Sequence, residues 1–136
     1  MVNQLTNKRW LKDFDGWNAL QQTLEKRRYR LPTFQEREIW FTAIGTNIGH
    51  ETDGKNDDYS RPVLILKKYS RSLFFGLPLT TTFREGKWFY QLNTKRTSVV
   101  ILNQGRTLSA RRLTKRMYSI NETDFEKIRE LYRQLT

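Results

Sequence analysis

Four side chains that together can act on a phosphate ester lie within a short part of the sequence. His50 and Glu51 lie in a long polar stretch, Arg61 begins the apolar run after it, and Thr80 opens a run of three threonines. A guanidinium can stabilise charge on a phosphate, a hydroxyl can hydrogen-bond to it, and an imidazole or a carboxylate can transfer protons. RNA already holds its own nucleophile, the 2′-OH, so these groups suffice for intramolecular transesterification at a phosphodiester.

Other catalytic patterns are missing from the sequence. The 136 residues include one histidine and no cysteine, and they contain no HExxH, GxSxG or Walker sequence. Asp53, Asp57 and Asp58 could bind a divalent cation, but they lack the alternating ligands of a calcium loop, and we interpret them as solvated acids. We therefore expect no metal and no cofactor.

The charge is concentrated in the middle of the chain and favours an anionic partner. The net charge is +11, and residues 61–119 alone hold 13 Lys and Arg residues against one acid, Glu85. Cations neutralise phosphates and aromatic faces stack on unpaired bases, so the basic, aromatic-rich middle suits single-stranded nucleic acid. For the aromatic residues, a place in the core is the better interpretation. A membrane surface is the weaker alternative, because no basic amphipathic helix carries the charge.

Length and hydropathy predict one globular domain located in the cytoplasm. A chain of 136 residues can bury a core without disulfides. The longest aliphatic run covers only residues 63–66, and the N-terminus lacks an apolar signal segment, so we expect no membrane span.

Periodicity predicts a mainly β (α+β) fold between two helices. Apolar residues recur at helical spacing over 9–29, and over 123–135 with a capping box formed by Thr123 and Glu126. Runs of strand type cover 38–44, 62–69, 73–82, 87–92, 97–102 and 107–108. Their short spacing predicts a small antiparallel barrel at 37–136, preceded by a helical extension at 1–36. The stretch 45–60 is unusually long for a loop, which indicates a functional or disordered segment.

Five strings in this order resemble the MazF/PemK (Kid) family of toxin endoribonucleases. They are EIW at 38–40, GHE at 49–51, RPVLIL at 61–66, LPLTT at 77–81 and VVILNQGRTL at 99–108. The resemblance implies an SH3-like or CcdB-like barrel, and a homodimer with an RNA groove across its interface. It also implies metal-independent cleavage of single-stranded RNA to 2′,3′-cyclic phosphate and 5′-OH ends, and a cognate antitoxin as a partner.

The same resemblance assigns roles to individual residues. Arg61 matches an arginine that contacts the scissile phosphate, and Thr80 matches a hydroxyl that hydrogen-bonds to it. His50 matches a histidine of PemK-like members suited to proton transfer. Glu51 matches a loop glutamate that orients Arg61 or accepts a proton; on chemistry alone, a structural ion pair between Glu51 and Arg61 is the alternative. The RNA-contacting positions implied are Thr81, Asn103, Gln104 and Arg106.

One departure from the family pattern affects this assignment. Family members commonly have aspartate where this chain has Asn103, and PemK-like enzymes have arginine where it has Ile101. Neither an amide nor an aliphatic group transfers protons near neutral pH, so activity would depend on His50, Glu51 and Arg61. The alternative function is a non-catalytic RNA binder or a CcdB-like gyrase poison. For the extension at 1–36 we expect docking on its own barrel or on a second subunit.

Overall fold

A computed structural model describes residues 12–26, 30–55, 59–93 and 98–136. The first helix, α1, spans Phe14–Glu25 and begins at Asp13, whose carboxylate accepts a hydrogen bond from the Gly16 amide at 2.9 Å. Trp17 and Leu24 are its buried residues. Residues 12, 13 and 26 of the predicted 9–29 helix lie outside α1, and its remaining residues at both ends, including Trp10, lie outside the described residues.

In the part of the chain that the structure describes, seven strands form one antiparallel sheet. They are β1 Glu38–Ala43, β2 Ser60–Lys68, β3 Leu73–Thr80, β4 Phe89–Leu92, β5 Ser98–Ile101, β6 Arg106–Ser109 and β7 Leu113–Ser119, with a 3₁₀ turn at Ala110–Arg112 between β6 and β7. Their order is β4-β5-β3-β2-β1-β7, and β6 pairs with the first half of β3. The predicted mainly β class with two flanking helices is confirmed. Among the described residues no pairing joins β4 to β7, so the sheet is not closed into the predicted barrel.

Strand β7 was absent from the sequence prediction. Leu113 is its only buried residue, and most of its other side chains face solvent, so the apolar alternation that identifies a half-buried strand is missing. Its pairing with β1 also contains two register shifts. The strand lies at the edge of the sheet, where burial on one side is small.

The sheet separates two hydrophobic clusters because successive strand residues face opposite sides. Ile39 and Leu64 belong to one cluster, and Trp40 and Val63 to the other. The second cluster also contains Phe34, which is almost completely buried. The predicted division of the chain at residues 36 and 37 stays a prediction.

The last helix, α2, spans Glu122–Leu135 and packs its predicted apolar stripe against the first cluster. Its predicted capping box was wrong. The N-cap is Asn121, in an extended conformation, and its side-chain oxygen accepts a hydrogen bond from the Asp124 amide at 2.7 Å. No helix in the described part of the chain is long and apolar enough to cross a membrane.

Candidate active site

Arg61 lies at the start of β2 and is held between two main-chain carbonyls. Its Nε donates to the Asp53 carbonyl oxygen at 2.7 Å, and its Nη1 donates to the Leu79 carbonyl oxygen at 3.2 Å. Burial lowers the pKa of Arg61, while the negative charge of Asp53 opposes this change. A guanidinium stays protonated at neutral pH, so the half-buried group is a fixed cation.

Thr80 lies beside Arg61 on the neighbouring strand. The register of β2 with β3 places Val63 opposite Pro78. Because the strands are antiparallel, two residues back along β2 and two residues forward along β3 bring Arg61 level with Thr80. A cleft of about 150 Å³ is lined by Phe41, Lys55, Ser60, Arg61, Pro62, Leu79, Thr80 and Thr81. The structure thus brings together the predicted arginine, Thr80 and the exposed Thr81. Thr80 Oγ1 accepts from the Thr82 amide at 3.2 Å, which leaves its hydroxyl hydrogen free to donate.

His50 and Glu51 lie on the segment between β1 and β2, and neither is in a salt bridge or hydrogen bond with Arg61. Glu51 Oε1 instead accepts from the Ile48 amide at 2.9 Å and stabilises a local turn. The alternative ion pair between Glu51 and Arg61 is therefore not formed, and Arg61 contacts the Asp53 carbonyl instead. The His50 side chain is exposed.

A second cleft, of about 310 Å³, contains Glu51 and all of the predicted RNA-contacting residues except Thr81. Its lining is Ile44, Asn47, Glu51, Thr52, Val63, Gly76, Pro78, Asn103, Gln104, Gly105, Arg106 and Leu108. The Gln104 amide bridges to the loop, since its oxygen accepts from the Thr52 amide and its nitrogen donates to the His50 carbonyl, both at 3.3 Å. Arg106 donates to the Ile44 carbonyl at 3.3 Å, and Asn103 is exposed.

Sequence reasoning missed the residues that shape the loop. The Asp53 carboxylate accepts from the Asn47 amide at 2.6 Å and forms an ion pair with Lys12 at 3.0 Å, so its interpretation as a solvated acid was wrong. The Asn47 side chain donates to the carbonyls of Ile44 and Thr52. Asn and Asp in a glycine-rich stretch commonly bond to nearby backbone in this way, and that was the available signal. Asp57 and Asp58 lie outside the described residues.

Within the described ranges, no three His, Cys, Asp or Glu side chains lie close enough to form a metal-binding group.

Comparison with protein families gives a match that covers most of the chain. Residues 35–135 match the model of the PemK-like, MazF-like toxins of type II toxin–antitoxin systems. The chain belongs to this family. A search of curated protein sequences gives no significant match.

Solved structures of MazF-like toxins share the fold at low sequence identity. The Mycobacterium tuberculosis toxin MazF-mt6 is 19% identical with a TM-score of 0.56, over 72% of this chain and 94% of its own. MazF from Deinococcus radiodurans is 17% identical with a TM-score of 0.61, over 79% of this chain and 97% of its own. A mycobacterial endoribonuclease in complex with its cognate antitoxin is 16% identical with a TM-score of 0.56, over 76% and 92%.

Proposed function

We propose that this MazF-like toxin is an endoribonuclease that cleaves single-stranded RNA without a metal ion. The observation that carries the proposal is the cleft in which Arg61, fixed by two carbonyls, lies beside the hydroxyl of Thr80. Family membership and the likeness to solved endoribonucleases support it.

Arg61 has the free hydrogen-bond donors that a phosphate requires. A guanidinium carries five N–H groups, and two of them are used by the carbonyls of Asp53 and Leu79. The remaining three lie on the terminal nitrogens and can hold two phosphate oxygens at once. Because the group is already oriented, it stabilises the charge of the pentacoordinate phosphorus without reorganisation in the transition state.

The reaction moves one proton from the nucleophile and one to the leaving group. The 2′-OH attacks its adjacent phosphorus as its proton is removed, and the bond to the 5′-oxygen breaks as that oxygen takes a proton. His50 and Glu51 are our candidates for these transfers, since Asn103 and Ile101 cannot perform them. Thr80 donates its hydroxyl hydrogen to a phosphate oxygen.

The second cleft supplies contacts to the rest of the RNA in this proposal. Arg106 and the exposed Asn103 face it, while Gln104 supports the loop that forms its wall. Thr81 extends the surface beyond Thr80. We also propose a homodimer and a cognate antitoxin partner, as the resemblance implies, and the neighbouring structure with its antitoxin supports the partner. A cytoplasmic location is proposed from the hydropathy of the sequence.

The test uses purified protein and mixed-sequence RNA in excess EDTA. We expect fragments with 2′,3′-cyclic phosphate and 5′-OH ends. The Arg61→Ala variant should cleave about 10²- to 10³-fold more slowly, the loss typical of an oriented transition-state donor. Arg133→Ala is the matched control, because Arg133 lies on α2 in an exposed pair with Glu130.

Two outcomes would contradict the proposal. Retarded but intact RNA would favour a non-catalytic binder, and normal cleavage by a folded Arg61→Ala protein would remove Arg61 from the site. The Arg61→Lys variant is the folding control at this position, since it keeps the positive charge and loses only the forked geometry of the guanidinium.

A further inference from the structure

Lys12 and α1 precede the family-matched region, and both contact the loop between β1 and β2 that carries His50 and Glu51. This loop is called the active-site loop below. Lys12 places its ammonium group against the carbonyl oxygens of Asn47 and Gly49, the latter at 3.0 Å, and against the Asp53 carboxylate at 3.0 Å. A lysine has three N–H donors, so these three acceptors use all of them. Lys12 thereby joins parts of the loop on both sides of His50 and Glu51.

Helix α1 fixes the two ends of the same loop. Trp17 covers Gly45 so closely that a β-carbon at position 45 would lie 2.0 Å from Trp17 Cε2. The Trp17 ring also packs on Tyr59, with ring centroids 5.7 Å apart, and the Tyr59 hydroxyl donates to Asp13 at 2.5 Å. The Gly45 amide in turn donates to the Tyr59 carbonyl at 3.0 Å, which closes the base of the loop.

Asp53 connects this attachment to Arg61. Its carboxylate accepts from Lys12 and from the Asn47 amide, and its main-chain carbonyl accepts from Arg61 Nε at 2.7 Å. A displacement of Asp53 would therefore move an acceptor that orients the guanidinium. Misplacement of a reacting group by about 1 Å can cost about 10²-fold in rate.

We infer that Lys12, with α1, positions the active-site loop and through Asp53 orients Arg61. The inference rests on the proposed nuclease function for its catalytic consequence. The family match begins at residue 35, so this positioning device is additional to the matched region. Lys12 is a positioning residue, because its three bonds are to the loop.

The test compares full-length Lys12→Met, Lys12→Arg and Lys127→Met. Lys127 is exposed on α2, and its replacement removes the same charge elsewhere. With a single-stranded RNA oligonucleotide, we expect kcat of Lys12→Met to fall about tenfold or more while KM changes less than about twofold. Lys12→Arg should restore most of the rate, and Lys127→Met should match the unaltered protein.

A second measurement does not depend on cleavage. The amides of Asn47 and Gly54, which donate within the loop, should exchange with deuterium about tenfold faster in Lys12→Met than in Lys127→Met. If exchange in Lys12→Met is unchanged, Lys12 does not hold the loop. If exchange is faster but kcat is unchanged, Lys12 holds the loop but does not position Arg61. If the unaltered protein cleaves no RNA, the proposed function fails and the catalytic part of this inference fails with it, while exchange still decides whether Lys12 holds the loop.

Discussion

Two main-chain carbonyls orient Arg61 for the phosphate contact of the proposed function. Its two bonded carbonyls belong to different parts of the fold, Asp53 in the loop and Leu79 at the end of β3. A carbonyl orients the guanidinium without neutralising it, whereas an ion pair with Glu51 would compete with an anionic ligand. The arrangement therefore leaves a net positive charge facing the cleft.

The hydroxyl of Thr80 is expected to contribute less than Arg61 because it carries no charge. Thr80→Val keeps the shape and removes the hydrogen bond to phosphate, and we expect cleavage about tenfold to a hundredfold slower. Thr80→Ser should stay within about threefold of the unaltered rate. Single-turnover kinetics on one RNA oligonucleotide measures both, with the exposed strand residue Thr107, as Thr107→Val, for the control. Equal rates for the Val and Ser variants would exclude a role for the hydroxyl.

The sequence predicted residues that the fold brings together in one cleft, but not their hydrogen-bond partners. Arg61 and Thr80 were predicted from motifs on two strand-like runs, and strand register alone brings them level. An ion pair between Arg61 and Glu51 was the structural alternative that the residue types offered. The Asp53 contact depends on how the loop turns, which in turn depends on Lys12, 41 residues before Asp53 in number. Such long-range bonds leave no periodic signal in the sequence.

Among the elements, the buried strands were predicted from the sequence and the edge strand β7 was not. Strands β1, β2 and β3 were predicted because both faces are covered and their apolar residues are continuous or alternating. Strand β7 was missed because polar contacts hold it at the edge. Arg116 on β7 donates from Nε to the Glu38 carboxylate on β1 at 2.7 Å.

This contact makes the attachment of β7 sensitive to acid. Burial tends to raise the pKa of Glu38, but hydrogen bonds from Arg116, Trp40 and the Gln35 amide outweigh it and leave the pKa below its ordinary value. A lowered carboxyl pKa stabilises the fold above the unfolded-state value, and that contribution is lost as pH falls through the folded-state value. We expect Glu38→Gln to reduce the free energy of unfolding by about 1 kcal/mol at pH 7.

Urea unfolding of both proteins between pH 7 and pH 3 tests this expectation. The difference between them should shrink as the pH falls through the lowered folded-state pKa of Glu38, because the carboxyl then becomes protonated in the unaltered protein. A constant difference over the whole range would show that Glu38 acts through its shape and not through its charge. Glu126→Gln, in an exposed pair on α2, controls for the loss of one surface carboxylate.

In the whole molecule, the positive charge and the clefts both suit the partner of the proposed function, RNA. Thirteen of the 25 Lys and Arg residues lie in 61–119, the part of the chain that supplies Arg61, Thr80 and Arg106. Folding brings the two ends of this range into one sheet, since β7 pairs with β1 and β1 pairs with β2. The excess charge predicted from composition thus lies in the same part of the chain as the candidate site, and it should attract RNA before any base is recognised.

Binding of uncleavable RNA should accordingly depend strongly on salt. With 2′-O-methyl RNA, which lacks the attacking hydroxyl, the logarithm of the association constant should fall linearly with the logarithm of salt concentration, by about 0.7 for each phosphate neutralised. Arg61→Ala should reduce this slope by about 0.7, because one phosphate contact is lost, and Arg133→Ala should leave it unchanged. Fluorescence anisotropy over a salt series measures all three slopes. If Arg61→Ala weakens binding without changing the slope, Arg61 supports the cleft and does not touch phosphate, and the proposed chemistry would lose its central group.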